Sequence, residues 1–172
     1  RESNRRTEFH NPDMDGGGYN SPQAGYLLRK KVHPDHNELN DNYIYRPGIL
    51  YRLGEAYLNY AEALNECDPG NADILVYRER AGIPTYGSGP DQIAVDASDQ
   101  IAMRKLIRME RRVELCVEGV RYNDLRRWKE AGNVLNEPVY GMNVNATTRD
   151  GYFRRTQLDY KHVYRKAFYF MP

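Results

Sequence analysis

The sequence has little of several features that assign a protein to a class at first reading. Lys and Arg total 25 against 24 for Asp and Glu, so the basic excess of a typical nucleic-acid binder is absent and no nucleic-acid partner is expected. No apolar run is long enough to span a bilayer, which takes about 20 consecutive apolar residues. The two cysteines, Cys67 and Cys116, provide neither a disulfide framework nor a metal-binding spacing, and their apolar neighbours predict buried thiols.

Catalytic and metal-binding motifs are also missing from the sequence. It contains no phosphate-binding glycine loop, no nucleophile elbow and no zinc-protease helix. The four histidines are scattered, and only His33 and His36, with Asp35 between them, could hold a metal ion. A solvated loop is the expected setting of these three residues, so the sequence predicts neither a metal nor a cofactor.

The beginning of the chain has the composition of a long loop. Residues 1–46 are rich in turn formers and have little periodicity, and a connection of this length is uncommon in a compact domain. The chain starts at Arg1 instead of a methionine and ends in an apolar run cut at Pro172, so both ends are expected to lie within a longer polypeptide. We predict a loop-rich segment over 1–46 that packs on an amino-terminal half outside this sequence, followed by a helical region over 47–172.

Helical periodicity begins at Pro47 and predicts a first helix that ends at Glu66. Its apolar residues recur at helical spacing on one face, and small residues beside them would let a second helix approach closely. The members of this apolar face are Leu50, Leu53, Tyr57, Tyr60, Ala61 and Leu64.

Further helices are predicted over 72–81, over 98–118 with Ser98 as the N-cap, and over 121–131. A hinge rich in Gly and Pro precedes Ser98, and the tail from Asn136 onward has an extended pattern. The predicted fold class is therefore mainly α, with tetratricopeptide-like helical hairpins, long loops and a short extended carboxy-terminal segment.

Two acidic residues of the predicted third helix, Glu110 and Glu114, lie within its apolar stripe, where acids are costly unless they are paired. One helical turn apart, they could serve as the acid and nucleophile of a glycoside hydrolase. Alternatively, they accept hydrogen bonds from buried arginines. A general acid needs a raised pKa, whereas nearby guanidinium groups stabilise an ionised carboxylate, so the sequence favours structural ion pairs and no catalytic residue. The candidate partners are Arg78, Arg80, Arg121 and Arg126.

Three segments together resemble the RagB/SusD family. Leu53–Glu66, preceded by Arg52, is similar to the pattern R-L-x-E-x-Y-L-x-x-A-E-A, and Arg78–Pro84 is similar to R-x-R-A-G-[LI]-P. Glu110–Trp128 matches E-R-R-x-E-L-x-x-E-G-x-R-x-x-D-L-x-R-W. The segments occur in the family's order and cover most of residues 24–130.

The resemblance implies a SusD-like helical fold and a lipoprotein on the outer face of the Bacteroidetes outer membrane, with a lipid anchor outside this chain. Such proteins are not enzymes. They cover a SusC-like, TonB-dependent transporter and present an oligosaccharide, or sometimes a peptide, for import. A peptide-binding or protein-interaction scaffold of the tetratricopeptide kind is the alternative, and a glycoside hydrolase using Glu110 and Glu114 is a third hypothesis.

The resemblance also separates framework residues from candidate ligand contacts. The motif residues form the expected ion-pair and packing core of the scaffold: Arg78, Arg80, Glu110, Glu114, Glu118, Arg121, Asp124 and Trp128. Ligand aromatics of this family lie in variable loops, so no motif assigns them. The chain has 15 tyrosines against 4 phenylalanines, and tyrosine suits carbohydrate stacking as well as half-buried packing. The loop residues Tyr19, Tyr86 and Tyr140 are the predicted ligand contacts.

Overall fold

Helices dominate the computed structural model, which describes residues 8–11, 13–16, 21–36, 41–70, 75–87, 89–159 and 163–169. The two long helices are α1 (Leu53–Cys67) and α3 (Gln100–Glu114), of 15 residues each. The shorter elements, in chain order, are α2 (Leu75–Arg80), β1 (Tyr86–Gly87), β2 (Ile93–Ala94), α4 (Val120–Arg127), α5 (Ala131–Val134), β3 (Tyr140–Met142), α6 (Arg149–Tyr152), β4 (Arg155–Gln157) and a 3-10 helix (Lys166–Tyr169). The predicted mainly-α fold class is confirmed.

The chain divides into two compact units. The central unit comprises residues 48–124, and the terminal unit combines residues 1–47 with residues 125–172. Within the described ranges, no helix has both the length and the apolar character needed to cross a membrane. That residues 1–46 pack on an amino-terminal half outside this sequence stays a prediction.

Helix α1 buries a face that lies beside the predicted one. Its buried positions are Gly54, Leu58, Ala61 and Asn65, which follow the three-to-four-residue spacing of one helical face. Three members of the predicted apolar face are instead exposed: Leu50 is 98%, Tyr60 is 60% and Leu53 is 54% exposed. Ala61 packs in one cluster with Met103 and Ile107 of α3. The small residues therefore mark the face on which α3 packs, because they let the two backbones come close.

The ends of the long helices differ from the predicted ends. Helix α1 starts at Leu53 and not at Pro47, because Arg52 is extended (φ −143°, ψ 162°). Helix α3 ends at Glu114 and not at residue 118, because Val117 (φ 64°) and Gly119 (φ 82°) adopt left-handed conformations that stop a helix. Cys67 is the last residue of α1, and Cys116 lies two residues after α3. Both cysteines are exposed, which corrects the expected burial of the thiols.

The amino terminus of α3 is capped by Asp99, one residue after the predicted cap. One Asp99 carboxylate oxygen accepts hydrogen bonds from the backbone N–H groups of Ile101 (3.0 Å) and Ala102 (2.9 Å). The Ser98 hydroxyl donates to Asp96 instead, at 2.6 Å. We expect Asp99→Ala to lower the free energy of unfolding by about 1 kcal/mol, with Ser98→Ala as the matched control of smaller effect. Urea denaturation checks this, and equal losses in the two variants would contradict the assignment of the cap.

The terminal unit is built around a small antiparallel hairpin. Strand β3 pairs with β4, with Tyr140 opposite Gln157, and the backbone N–H of Met142 donates to the carbonyl of Ala24 at 3.0 Å. A Cβ atom on Gly141 would lie 2.8 Å from that carbonyl, so this approach requires glycine. The predicted extended tail is therefore present in β3 and β4 but is interrupted by α6.

Candidate functional site

The central unit contains a buried ion pair between α2 and α3. The Arg78 guanidinium donates from Nη1 to Glu110, and both residues are less than 10% exposed. The Tyr86 hydroxyl donates to the same Glu110 oxygen at 2.7 Å. The Arg78 Nε atom donates to the carbonyl of Pro84 at 2.5 Å, so the arginine also fixes the start of the hinge. Glu110 and Arg78 satisfy each other's polar groups in the apolar interior, as buried charges require.

Glu114, one turn further along α3, binds a different arginine. Its carboxylate lies 2.6 Å from Arg52 Nη1 and accepts a hydrogen bond from the Tyr77 hydroxyl at 2.5 Å. Arg52 also donates to Glu118 from Nε (2.9 Å) and Nη2 (2.9 Å). Hydrogen bonds to Glu118, and then to Glu114, raise the pKa of Arg52 above its already high value. Glu114 is half-buried, with its side chain 27% exposed.

A third pair joins α3 to α4 through Arg111. Its guanidinium binds Asp124 with two parallel hydrogen bonds, from Nε (3.0 Å) and from Nη2 (2.9 Å). Both residues are 3% exposed. Arg111 also donates to the Asn59 side chain, and Glu62 lies 3.7 Å from its Nε. This arrangement ties three helices together, because Asn59 and Glu62 belong to α1.

These three pairs bear directly on the glycoside hydrolase hypothesis. The Glu110 carboxylate is occupied by a guanidinium and a phenol, and Glu114 is held in the same way. A glycosidase needs one carboxylic acid that donates to the leaving group and one carboxylate that reaches the sugar. Glu110 and Glu114 are instead held by arginine and tyrosine between helices. This arrangement suits carboxylates that stabilise the fold.

The other predicted framework residues occupy different environments. Glu118 joins the Arg52 pair and Asp124 the Arg111 pair, whereas Arg80 lies exposed at the end of α2. Arg121 is half-buried, and its pKa is lowered by burial and by the charge of Arg112, with Asp124 acting in the opposite direction. Trp128 is half-buried against the core of the terminal unit and carries Arg127 over its ring, 4.8 Å from the centroid. Of the four candidate arginines, the structure brings Arg78 to Glu110.

Two of the three predicted ligand tyrosines are described, Tyr86 in the central unit and Tyr140 in the terminal unit. Tyr19 lies outside the described residues. Tyr86 is 9% exposed and sits in the core cluster of Ala61 and Ile107, contrary to the exposure expected from its glycine-rich surroundings. The tyrosine can be buried because its hydroxyl has a hydrogen-bond partner in the interior, the Glu110 carboxylate. Tyr140 is 43% exposed, and Arg155 stacks on one face of its ring at 4.0 Å from the centroid.

The sequence did not identify Arg52 and Arg111 as the partners of three acids, Glu114, Glu118 and Asp124. Arg52 appeared only as the first residue of a motif, and Arg111 was not among the four candidate arginines. The separations are large: 62 residues between Arg52 and Glu114, and 52 between Asn59 and Arg111. A signal for Arg111 was present in the sequence, since Glu62, Asn59 and Asp124 are polar residues in motif segments that need a basic partner if they are buried.

The buried hydroxyl of Tyr86 leads to a pH-dependent prediction. Burial, with the hydrogen bond to Glu110 as a second cause, raises the pKa of Tyr86 from 10.0 to about 12. Since the unfolded chain loses this proton first, Tyr86 contributes stability that is complete below pH 10 and is lost as the pH rises from 10 to about 12. We expect Tyr86→Phe to remove this part of the loss of stability above pH 10. At pH 7 the same substitution should lower the free energy of unfolding by about 0.5–1.5 kcal/mol. Denaturation at pH 7, 10 and 12 measures both effects, and identical pH profiles would contradict the prediction.

Comparisons with known proteins agree with the resemblance of the motifs. The sequence model described as the SusD family matches residues 2–172. SusD-like protein P38 of Formosa agariphila is 37% identical over 97 residues, an alignment that covers 55% of this chain and 19% of that protein. SusD-like protein P2 of the same organism is 34% identical over 99 residues, covering 55% of this chain and 18% of that protein. The aligned part is thus about a fifth of the length of these relatives.

Solved structures show the same fold over most of the chain. The structure of BT4246 superposes with a TM-score of 0.57 at 31% identity and covers 73% of this chain and 21% of that chain. A selenomethionine structure of BT4246 gives a TM-score of 0.60 at 31% identity, with 73% and 22% covered. The family's sequence model matches residues 2–172 of this chain, and the three motifs form its ion-paired helical framework. The chain therefore belongs to the SusD family.

Proposed function

We propose that this chain is part of a glycan-binding protein at the outer face of the outer membrane. In this proposal the protein works in a SusC/SusD-like uptake system and presents oligosaccharide to a TonB-dependent, SusC-like transporter. The observation that carries the proposal is the match to the SusD family over residues 2–172. The two SusD-like proteins of Formosa agariphila support it.

The ion-paired framework supports a binding protein over an enzyme. Its charged residues bind one another between helices, so the central unit serves as a rigid support for loops. In the hydrolase hypothesis Glu110 would have to release Arg78 and Tyr86 before it could reach a sugar. We therefore place ligand recognition on the loops and not on the acids of α3.

A glycan array with the full-length protein tests the binding role. We expect binding to a subset of oligosaccharides and no release of reducing sugar from them over hours. The matched variant Glu114→Gln should bind the same subset, because Glu114 belongs to the framework. Binding of peptides in place of any glycan would favour the tetratricopeptide-type scaffold, and steady hydrolysis that is lost in Glu114→Gln would favour the glycoside hydrolase.

Copurification tests the transporter partner and the location. An affinity tag on the full-length protein, expressed in its own organism, is expected to recover a TonB-dependent barrel protein from detergent-solubilised outer membranes. Protease added to intact cells should degrade the tagged protein. Recovery without any barrel protein, or full protection from protease in intact cells, would overturn this part of the proposal.

A further inference from the structure

A cleft of about 200 Å³ opens in the terminal unit between two turns and α6. The described residues that line it include Phe9, Ser21, Gln23, Val144, Asn145 and Tyr152, and among the lining residues that the structure describes none carries a charged side chain. Two primary amides, those of Gln23 and Asn145, belong to exposed residues. The cleft thus combines hydrogen-bonding amides with apolar surface from Phe9 and Val144. We call it the amide cleft.

Backbone hydrogen bonds order the two turns that carry the amides of the cleft. Gln23 lies inside the turn closed by the N–H of Gly25 donating to the carbonyl of Pro22 (3.0 Å), and Asn145 lies inside the turn closed by Ala146 and Asn143 (3.1 Å). The bond from Met142 to Ala24 joins the two turns. Both amides therefore project from backbone that is already ordered, and such preorganisation lowers the entropic cost of binding.

The floor of the amide cleft is equally fixed. Tyr152 is 4% exposed, and its hydroxyl donates to the carbonyl of Gly25 at 3.2 Å. The ring of His10 meets the Tyr152 ring edge-on, with centroids 6.3 Å apart. Gly25 has a φ of +75°, and a Cβ atom there would lie 2.6 Å from the Met142 side chain, so the turn depends on glycine. The floor of the cleft is therefore fixed by the fold.

We propose that the amide cleft binds one ring of a neutral saccharide, an inference that rests on the proposed glycan-binding function and gives it a location. A primary amide offers both donors and an acceptor, which matches sugar hydroxyls that donate and accept. Phe9 and Val144 provide apolar contact for the C–H face of the ring. The volume is below the roughly 300–1,000 Å³ of pockets for drug-sized ligands, so it suits a single ring. The described lining has no cationic side chain to pair with a carboxylate, so it favours a neutral sugar over an acidic one.

The test uses the full-length protein and calorimetric titration with neutral hexasaccharides of glucose, mannose, xylose or galactose. We expect at least one of these probes to bind. Asn145→Ala and Gln23→Ala should each weaken that binding about fivefold, as expected for the loss of one hydrogen bond. The control Asn123→Ala removes an exposed amide from α4 in the central unit and should leave the affinity unchanged. Thermal melts of the variants check that they fold.

The outcomes separate the cleft from the proposed function. Wild-type binding with unchanged affinity in both cleft variants would overturn the cleft inference and leave the glycan-binding function standing. Binding of only an oligogalacturonate probe would overturn the neutral ligand class, and a neutral peptide that loses affinity in Asn145→Ala would overturn the sugar assignment. If the wild-type protein binds no glycan on the array, both proposals fall.

Discussion

Replacing Glu110 with glutamine is expected to lower the free energy of unfolding of the full-length protein by about 3–5 kcal/mol. Arg78 is 7% exposed, and the substitution removes the negative charge that compensates its guanidinium. Water cannot easily solvate the charge that remains, because the pair lies between α2 and α3 beside the apolar cluster of Met103 and Ile107. The loss measures a buried charge left without its counter-charge, and it does not equal the net contribution of the pair to stability.

Urea denaturation of the Glu110→Gln variant, with two companion variants, tests this prediction. Glu66→Gln is the matched control, because Glu66 binds Arg104 with two bonds of 2.6 Å at an exposed position, where a pair contributes at most about 1 kcal/mol. Glu114→Gln should fall between the two, since Glu114 is half-buried. A loss for Glu110→Gln no larger than that for Glu66→Gln would contradict the account of the buried pair.

Replacing Arg111 with methionine is expected to destabilise the protein by a similar amount, about 3–5 kcal/mol. The substitution leaves the Asp124 carboxylate, 3% exposed, without its two parallel hydrogen bonds. It also removes the donor that the Asn59 side chain uses. Methionine has no charge and a volume close to that of arginine, so we expect the unpaired carboxylate and not a cavity to account for the main cost.

A double variant separates the charge from the packing at this position. Arg111→Met combined with Asp124→Leu removes both charges, and replacing a buried pair by apolar residues is often nearly neutral. We expect the double variant to recover most of the stability that Arg111→Met loses, as measured by urea denaturation of all four members of the cycle. Additive losses in the double variant would show that Arg111 acts mainly through packing.

The sequence predicted which segments are helical more reliably than which side of each helix is buried. Periodicity predicted α1 and α3, and the family that the motifs indicated was confirmed by the comparisons with known proteins. The buried face of α1 was predicted only in part, because the stripe counted large side chains such as Leu50 and Tyr60, which are exposed, and did not count Gly54 and Asn65, which are buried. The early end of α3 at Glu114 was also missed, since nothing in the sequence predicts a left-handed Val117.

The sequence predicted that buried acids would bind arginines, but it did not predict which arginine binds which acid. Two acids in an apolar stripe indicated buried arginines, and Arg78 was among the candidates. Arg52 was not, because a helical projection describes one helix and carries no information about the residues that another element brings across. The burial of Tyr86 was missed for the same reason: its glycine-rich neighbours describe the local chain, while its hydroxyl binds a carboxylate 24 residues away.

The terminal unit combines residues from both ends of the chain, so its two parts are synthesised at different times. Tyr152 and Gly25, which share a hydrogen bond, are 127 residues apart. At about 5–20 residues per second, Gly25 leaves the ribosome roughly 6–25 s before its partner. The central unit, an uninterrupted stretch from 48 to 124, is complete before β3 is made. The turn at Gly25 therefore spends those seconds without the strand on which it packs.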